Sequence, residues 1–300
     1  MMVKPPARVR CHDAIPQHSW TMPSDSSRSL DRTTIHTIAS AALQSNQVGV
    51  EKLHGYLYPT YRLTTSRGSF SILKTRPSSS IRLLRHETDR ILSEATALHL
   101  LSSHSETISP GLRDYHAAST APDSCYLISG PFTGAILTDV KTSLSRSDVG
   151  CIGRSLGQYL RRLSALSGPA FGPLRQSQTS LSSSQSWAQT YATLLETVLR
   201  DGEDALVSLP YECIRDVVRR HRAPLDRIRV PKLMILDPVN DKNVVIAPKT
   251  CTVTGLLDFS TAFWGDPLMS GCFYKPTASF LDGFARPLGE SNEERIRQNL

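Results

Sequence analysis

Short runs of hydrophobic, β-branched and aromatic residues fill the segment from Val48 to Thr75. The runs VGVEKLHGYLY, PTYRLTT and SFSILKT are divided by Pro59 and by the turn Ser66–Arg67–Gly68. Alternating runs between such turn residues are typical of β-strands. The pattern therefore predicts a three-stranded antiparallel meander, with Lys74 inside its third strand.

Elsewhere the hydrophobic residues return at helical spacing. They predict helices over Leu30–Leu43, Ile81–Ser103, Asp148–Leu166, Trp187–Leu199 and Asp204–Val218, and a capping box at Ser291 opens a last one. Glu87 and Glu94 lie one heptad apart on the second of these helices. The last helix stops at Leu300 after about two turns, which is short for independent stability. We therefore expect a truncated or weakly packed end.

The hydrophobic pattern changes in character near residue 130. A short predicted strand, Tyr126 to Ile128, is followed by the glycine- and proline-rich sequence GPFTG. Such a sequence is typical of a linker. It predicts an α+β protein with a small antiparallel β-rich lobe over 31–129, a hinge over 130–134 and a larger, mostly helical lobe over 135–300. Residues 1–30, rich in Pro, Ser and Arg, predict a disordered tail.

The stretch from Lys232 to Pro267 combines short hydrophobic runs with polar turns. Leu233 to Leu236, Val244 to Ile246 and Val253 to Leu257 predict strands, and Asp258 follows the third one directly. Adjacent strands would place Asn243 and Asp258 side by side at one edge. Converging amide and carboxylate oxygens suit Mg²⁺ that carries the phosphates of a nucleotide.

Composition limits the class of protein. The 300 residues are 39% hydrophobic and 20% charged, which is ordinary for a soluble globular protein. There is no run of about eighteen apolar residues to span a membrane, and no apolar core of a secretory signal begins the chain. The six cysteines form no CxxC pair. This usage favours reduced thiols and a cytoplasmic location.

The formal net charge is +7, and part of the excess lies between Arg215 and Arg229. Aromatic residues, which would stack on bases, do not alternate with these arginines. The pattern favours a solvated helix face, and we expect neither nucleic acid nor an obligate protein partner.

One competing motif is Gly153-Arg-Ser155-Leu-Gly157, which fits the GxSxG nucleophile elbow of α/β-hydrolases. That motif requires a strand followed by a sharp turn at the serine. Here the helical period continues through Ile152, Leu156 and Leu160, so a glycine-containing helix is favoured.

The predicted elements occur in a fixed order: a lysine in a third strand, a glutamate on the next helix, a hinge, and a strand–Asp…Asn–strand–strand–Asp unit. This order resembles the aminoglycoside phosphotransferase and choline kinase family, small-molecule kinases with a two-lobed protein-kinase-like fold. The resemblance spans roughly Val48 to Phe284. Phrases such as YRLTTSRGSFSILK, RLLRHE and WGDPLM look closest to a fungal branch of the family.

The resemblance implies roles in the β-rich lobe. Lys74 would hold the α- and β-phosphates of ATP, and Glu94 would pair with it, with Glu87 as the second choice. Gly55 lies where the phosphate-covering loop of the family turns, and an ordinary hairpin turn explains it equally well.

The resemblance also implies roles at and beyond the hinge. Ser129 and Gly130 would contact adenine through their backbone, although a plain linker is compatible with the same residues. Asn243 would bind one Mg²⁺ ion and Asp258 both. The expected partners are a nucleotide and a small-molecule substrate.

The chain departs from the family at the catalytic base. The family has His-x-Asp with the metal-binding Asn five residues after the Asp, whereas Asp237 lies six residues before Asn243. Ile235 or Leu236 occupies the histidine position, and Pro238 follows the aspartate. Either Asp237 is the base, with Asp241 as the alternative, or the base is missing. The two hypotheses are thus a kinase and a pseudokinase, the latter a nucleotide-binding regulatory module.

Overall fold

The computed structural model describes residues 30–66, 68–78, 80–104, 110–117, 125–174, 186–237, 240–285 and 291–300. The predicted tail, apart from Leu30, and Pro238 lie outside these ranges. The helices are α1 (Arg32–Leu43), α2 (Arg90–Ser102), α3 (Leu137–Val140), α4 (Arg146–Ala165), α5 (Trp187–Asp204), α6 (Tyr211–Arg220), α7 (Arg222–Asp226), α8 (Ala278–Phe284) and α9 (Asn292–Asn299). The strands are β1 (Gly49–Leu53), β2 (Thr60–Thr64), β3 (Phe70–Thr75), β4 (Gly111–His116), β5 (Tyr126–Phe132), β6 (Ala135–Ile136), β7 (Gly172–Pro173), β8 (Lys232–Ile235), β9 (Val244–Ala247), β10 (Thr252–Leu256) and β11 (Ala262–Gly265).

The first part of the chain forms a five-stranded sheet in the order β1-β2-β3-β5-β4. Its strands pair in antiparallel fashion, which confirms the predicted meander and adds β5 and β4 beside it. Helix α1 begins after Asp31, whose carboxylate accepts a hydrogen bond from the backbone N–H of Thr34 at 2.7 Å. Its buried side chains, such as Ile35, pack on one face of the sheet against Leu63 and Leu73.

Two boundaries of elements next to the five-stranded sheet differ from the prediction. Helix α2 begins at Arg90 rather than Ile81, because the side chain of Glu87 turns back to accept a hydrogen bond from the backbone of Leu84 and closes a short 3₁₀ turn. Strand β5 continues through Phe132 into the predicted hinge, and β6 begins at Ala135. The division into lobes at 130–134 stays a prediction.

Helices α4 and α8 pack closely against each other. A Cβ atom at Gly157 would lie 2.2 Å from the carbonyl oxygen of Phe280, so only glycine permits this approach. Ser155 lies in the middle of α4, and its hydroxyl accepts a hydrogen bond from the backbone of Val253 at 2.9 Å. It is therefore not on a strand-to-helix turn, and the hydrolase hypothesis is wrong.

The strands predicted between Lys232 and Leu257 are confirmed as β8, β9 and β10. β9 pairs with β10 and β6, whereas β8 pairs with β11, which the sequence analysis did not predict. Val245 and Leu257 pack against Phe70, Ile72 and Phe132 of the first sheet. This cluster joins the β9–β10 hairpin to the five-stranded sheet and thereby holds the polar ends of the hairpin beside β3.

The last helix, α9, is held by buried polar contacts. Arg297 forms an ion pair with Asp266 at 2.9 Å, and both side chains are less than a tenth exposed. The carbonyl oxygen of Leu300 accepts a hydrogen bond from the hydroxyl of Tyr191 at 2.9 Å. The expected weak packing of this helix is therefore wrong.

Surface features complete the fold. In the basic stretch, Arg215, Arg219 and Arg222 each form an ion pair with a nearby acidic residue. Among the described helices, none combines the length and the hydropathy required to cross a bilayer.

Candidate active site

A buried cluster of one lysine and two carboxylates lies between β3, α2 and the end of β10. Lys74 Nζ donates to both carboxylate oxygens of Glu94, at 2.8 and 2.7 Å. The same ammonium lies 3.1 Å from Oδ1 of Asp258. Lys74 is placed here because β3 is the central strand, paired with β2 through Thr60 and with β5 through Leu127. Side chains on this strand are buried on both faces.

Burial and charge shift the pKa values of the lysine and its helical partner. Burial raises the pKa of Glu94 to about 7, although Lys74 opposes the shift. Burial by itself would lower the pKa of Lys74, but Asp258 and Glu94 outweigh it and raise that pKa. The alternative partner, Glu87, lies away from the lysine, since its carboxylate contacts Leu84 and Arg90.

Asp258 follows β10 directly, and its side chain is 23% exposed. Its Oδ1 accepts a hydrogen bond from the backbone N–H of Ser260 at 2.8 Å. Burial opposes ionisation of this carboxyl, but Lys74 and Ser260 together lower its pKa below the ordinary value. Asp258 is therefore an anion at neutral pH, facing the cleft.

Asn243 lies beside Asp258 because β9 and β10 form a hairpin. The backbone N–H of Leu257 donates to the carbonyl oxygen of Asn243 at 2.8 Å, one residue before Asp258. The Asn243 side chain is buried, and its Oδ1 has no hydrogen-bond partner among the described residues. A buried acceptor without a partner is costly unless it binds a cation or water. Together with the Asp258 carboxylate it fits Mg²⁺, which needs few protein oxygens because it keeps several waters.

The raised pKa of Glu94 predicts a pH dependence of stability. A carboxyl whose pKa is about 7 in the folded protein and 4.5 in the reference state binds more protons when folded between those values. The contribution of Glu94 to the free energy of unfolding is thus present below about pH 4.5 and declines as the pH rises to 7. Glu94→Gln should flatten that decline. Urea unfolding of the wild-type and variant proteins at pH 5 and 8 measures how far the free energy of unfolding falls between these pH values. An equal fall in both proteins would contradict the raised pKa of Glu94.

The turn after β1 folds over the cluster. Gly55 has φ = +83°, a left-handed conformation that favours glycine. The hydroxyl of Tyr56 donates to the carbonyl oxygen of Lys242 at 2.6 Å. Burial and the charge of Asp258 raise the pKa of Tyr56. The turn predicted to cover phosphates is therefore tied to the loop that precedes Asn243.

Ser129 and Gly130 lie inside the sheet. Ser129 is buried between Ile72 of β3 and Leu112 of β4. A Cβ atom at Gly130, where φ is +137°, would lie 2.7 Å from the hydroxyl of Ser71. Neither residue lines the described cleft, whose walls include Tyr56, Tyr58, Thr60, Lys74, Glu94 and Asp258. Their contact with adenine stays a prediction.

Asp237 is exposed at the end of β8. The turn that carries it is held by its backbone: Ser270 Oγ donates to the carbonyl oxygen of Ile235 at 2.6 Å, and the N–H of Gly271 donates to that of Leu236 at 2.8 Å. The side chain of Asp237 is exposed, and its carboxylate forms no hydrogen bond or ion pair with another described side chain. The alternative base, Asp241, forms an ion pair with Lys141.

Two residues near this site, Lys242 and Ser270, had no role predicted from the sequence. Lys242 lies against the Gly55 turn, and Ser270 holds the backbone before Asp237. The only local signal for Lys242 is its position next to Asn243. Nothing local distinguishes Ser270 from other serines.

The protein has a two-lobed protein-kinase-like fold: a five-stranded antiparallel sheet with Lys74 on its central strand, followed by a mostly helical part that contains the β9–β10 hairpin. Residues 51–270 match the family described as Phosphotransferase enzyme family, APH. The match covers more than half of the chain, and the protein belongs to this family.

Solved structures share the fold at low sequence identity. A Thermobifida fusca protein assigned as a fructosamine-3-kinase aligns with a TM-score of 0.59 and 16% identity, over 88% of each chain. An aminoglycoside 2″-phosphotransferase IIa, solved with streptomycin and ATP, aligns with a TM-score of 0.55 and 14% identity, over 91% of this chain and 88% of its own. The macrolide 2′-phosphotransferase of Brachybacterium faecium aligns with a TM-score of 0.52 and 16% identity, over 87% of each chain. The curated proteins contain no match.

Proposed function

We propose that this protein is a cytoplasmic kinase that uses ATP and Mg²⁺ to phosphorylate a hydroxyl of a small molecule. The observation that carries the proposal is the Lys74 ammonium, held between Glu94 and Asp258 beside the unpartnered Oδ1 of Asn243. The family and the ATP-bound neighbour support nucleotide use.

Each residue of the cluster has a distinct task. Lys74 binds the α- and β-phosphates, and Glu94 holds the ammonium in place through two hydrogen bonds. Asn243 and Asp258 would hold Mg²⁺, which, when bound, neutralises charge on the phosphate oxygens. The Gly55 turn covers the phosphates. In phosphoryl transfer, positioning and charge neutralisation supply most of the rate.

Asp237 is placed to act on the acceptor. The acceptor oxygen forms a bond to the γ-phosphorus as the bond from that phosphorus to the bridging β–γ oxygen breaks, and the electron pair leaves with ADP. The proton of the acceptor hydroxyl passes to the Asp237 carboxylate. An exposed carboxylate suits this task, since the acceptor must reach it directly.

An open groove next to the cluster provides a route for the acceptor. Ser260 borders both the nucleotide cleft and this groove, and Leu236, the neighbour of Asp237, lines its floor. The other walls come from α2, α5, β11, the segment before α2 and the end of β7, and they include His86, Asp89, Ser93, Thr96, Leu174, Leu194 and Phe263. Mixed polar and apolar walls fit an acceptor that carries hydroxyl groups on a partly apolar skeleton.

The reaction is tested by Asp237→Asn. Wild-type protein with Mg²⁺-ATP and a panel of hydroxylated metabolites is expected to release ADP slowly, and the variant about 10²- to 10⁴-fold more slowly, the usual contribution of a general base. The affinity for Mg²⁺-ATP should be unchanged, because Asp237 does not line the nucleotide cleft. Equal turnover in the variant would show that Asp237 is not the base.

The second candidate function is a pseudokinase that binds nucleotide without transferring phosphate. The observation in its favour is the sequence at the base, where Ile235 or Leu236 replaces the histidine of the family and Pro238 follows Asp237. Tight Mg²⁺-ATP binding without ADP release across the acceptor panel would favour this function over the kinase.

A further inference from the structure

Lys242 lies next to the proposed metal ligand Asn243 in a tightly fixed turn. Its backbone N–H donates to the side-chain oxygen of Asn240 at 3.1 Å, and the N–H of Asn243 donates to the carbonyl oxygen of Asn240 at 2.7 Å. Such an Asx turn fixes the direction of the chain. Lys242 is therefore held in a defined place beside the metal-type pair.

The side chain of Lys242 reaches across to the turn after β1. A Cβ atom at Gly55 would lie 2.0 Å from Lys242 Nζ and 3.3 Å from its Cε. The ammonium thus rests on the bare Cα of Gly55, in space that another residue would fill. The hydroxyl of Tyr56, the residue after Gly55, donates a hydrogen bond to the carbonyl oxygen of Lys242 and so joins the backbone of Lys242 to the same turn. The side chain is half-buried between two loops, unlike a lysine on an open surface.

Lys242 differs from the two neighbouring lysines in its charge partners. Lys74 is neutralised by Glu94 and Asp258, and Lys141 is neutralised by Asp241, the residue before Lys242. No carboxylate lies within ion-pair distance of Lys242 among the residues that the structure describes. A half-buried cation without a carboxylate partner attracts an anion. Tyr56, which bonds to the carbonyl oxygen of Lys242, lines the cleft in which the phosphates of a nucleotide are proposed to bind.

We propose that Lys242 binds the terminal phosphate of the nucleotide and neutralises its charge during transfer. The inference rests on the proposed kinase or nucleotide-binding function and adds a residue to it. As the bond between the γ-phosphorus and the bridging oxygen breaks, negative charge spreads over the three outer oxygens of the γ-phosphoryl group. An ammonium already in place stabilises that charge without reorganisation. Lys74 serves the inner phosphates and Lys242 the outer one.

The division of work predicts a selective loss of affinity. Lys242→Met keeps the length of the side chain and removes its charge, whereas Lys242→Arg keeps the charge. Titration calorimetry with Mg²⁺ should show that Lys242→Met weakens ATP binding about 10- to 100-fold, the scale of one hydrogen bond between charged groups, with a much smaller effect on ADP. Lys242→Arg should retain most of the preference for ATP. Lys249→Met, at an exposed turn, is the matched control and should change neither affinity.

The outcomes separate this inference from the proposed function. Equal losses of ATP and ADP affinity in Lys242→Met, or no loss, would overturn the role of Lys242 and leave nucleotide binding intact. A wild-type protein that binds neither nucleotide would overturn the proposed function itself. Thermal melting of the ligand-free variants checks that each one is folded.

Gly55→Ala tests the contact independently. The new methyl group would displace Lys242 Nζ, and the positive φ is a strained conformation for alanine. We expect a selective loss of ATP affinity in the same direction as in Lys242→Met. The double variant should lose less ATP affinity than the sum of the two single losses, since both substitutions remove the contact of Lys242 with the Gly55 turn. Fully additive losses would contradict the contact as the cause.

Discussion

Replacing Asp258 with asparagine is expected to abolish the rise in melting temperature that Mg²⁺-ATP produces in the wild-type protein. A ligand at 100 times its Kd stabilises a protein by about 2.7 kcal/mol, so the wild-type shift should be readily measured. Asp258 is ionised at neutral pH because Lys74 and Ser260 lower its pKa against the effect of burial. Asparagine preserves the shape but removes the negative charge that would hold Mg²⁺. Any ADP release should also fall about 10²- to 10³-fold, the scale of one lost electrostatic contact in a transition state.

The control is Asp282→Asn on α8. It removes the charge of an exposed carboxylate that pairs with Arg154 of α4, outside the cluster around Lys74. It should leave the melting-temperature shift unchanged. The ligand-free Asp258→Asn protein should remain folded, since Lys74 keeps both hydrogen bonds to Glu94. A full Mg²⁺-ATP shift in Asp258→Asn would exclude this residue as a metal ligand, and no shift in the wild-type protein would contradict nucleotide binding.

Lys74→Met is expected to destabilise the folded protein by about 3–5 kcal/mol at pH 8, the usual cost of leaving a buried charge without its partner. The substitution leaves two neighbouring carboxylates, Glu94 and Asp258, without the cation that lies between them. Burial and the charge of Asp258 then raise the pKa of Glu94 further, because only the hydrogen bond from the backbone of Phe259 still opposes them. Below that raised pKa Glu94 binds a proton, which leaves Asp258 as the one unpaired carboxylate of the two and reduces the penalty. Urea unfolding at pH 6 and 8 should therefore show a smaller loss of stability at pH 6.

The double variant Lys74→Met/Glu94→Gln provides the matched comparison. Glutamine removes the unpaired carboxylate, so the double variant should be more stable at pH 8 than Lys74→Met alone. Lys249→Met, at an exposed turn, should change the free energy of unfolding by less than about 0.5 kcal/mol. If Lys74→Met lowers the free energy of unfolding at pH 8 by no more than Lys249→Met does, the buried ion pair does not contribute to stability.

Several elements were predictable because their signals are local. Alternation of hydrophobic residues located β1, β2 and β3 and placed Lys74 on the third of them. The order of apolar runs and polar turns located β8, β9 and β10, and it placed Asn243 and Asp258 next to each other. The alternation of a strand is visible within a few residues, so the hydrophobic pattern by itself was sufficient to locate these strands.

Other elements depended on tertiary contacts. The start of α2 at Arg90 follows from the side chain of Glu87 folding back on Leu84, which a hydrophobic period does not show. β11 runs through Ala262–Gly265, and its four residues pair with β8 across a chain separation that no local window covers. The predicted helix Asp204–Val218 divided into the end of α5 and the separate helix α6, which begins at Tyr211.

By itself, the sequence determined strands β1 to β3, β5 and β8 to β10, most of the helices, and the residues that we propose to hold a nucleotide's phosphates, because residue type and spacing are local properties. Only the tertiary structure decided that Glu94 and not Glu87 contacts Lys74, and that Asp258 is the second anion on the same ammonium. It also decided that Lys242 lies on Gly55. These contacts join residues far apart in the chain, and packing of the β9–β10 hairpin against the five-stranded sheet sets their distances.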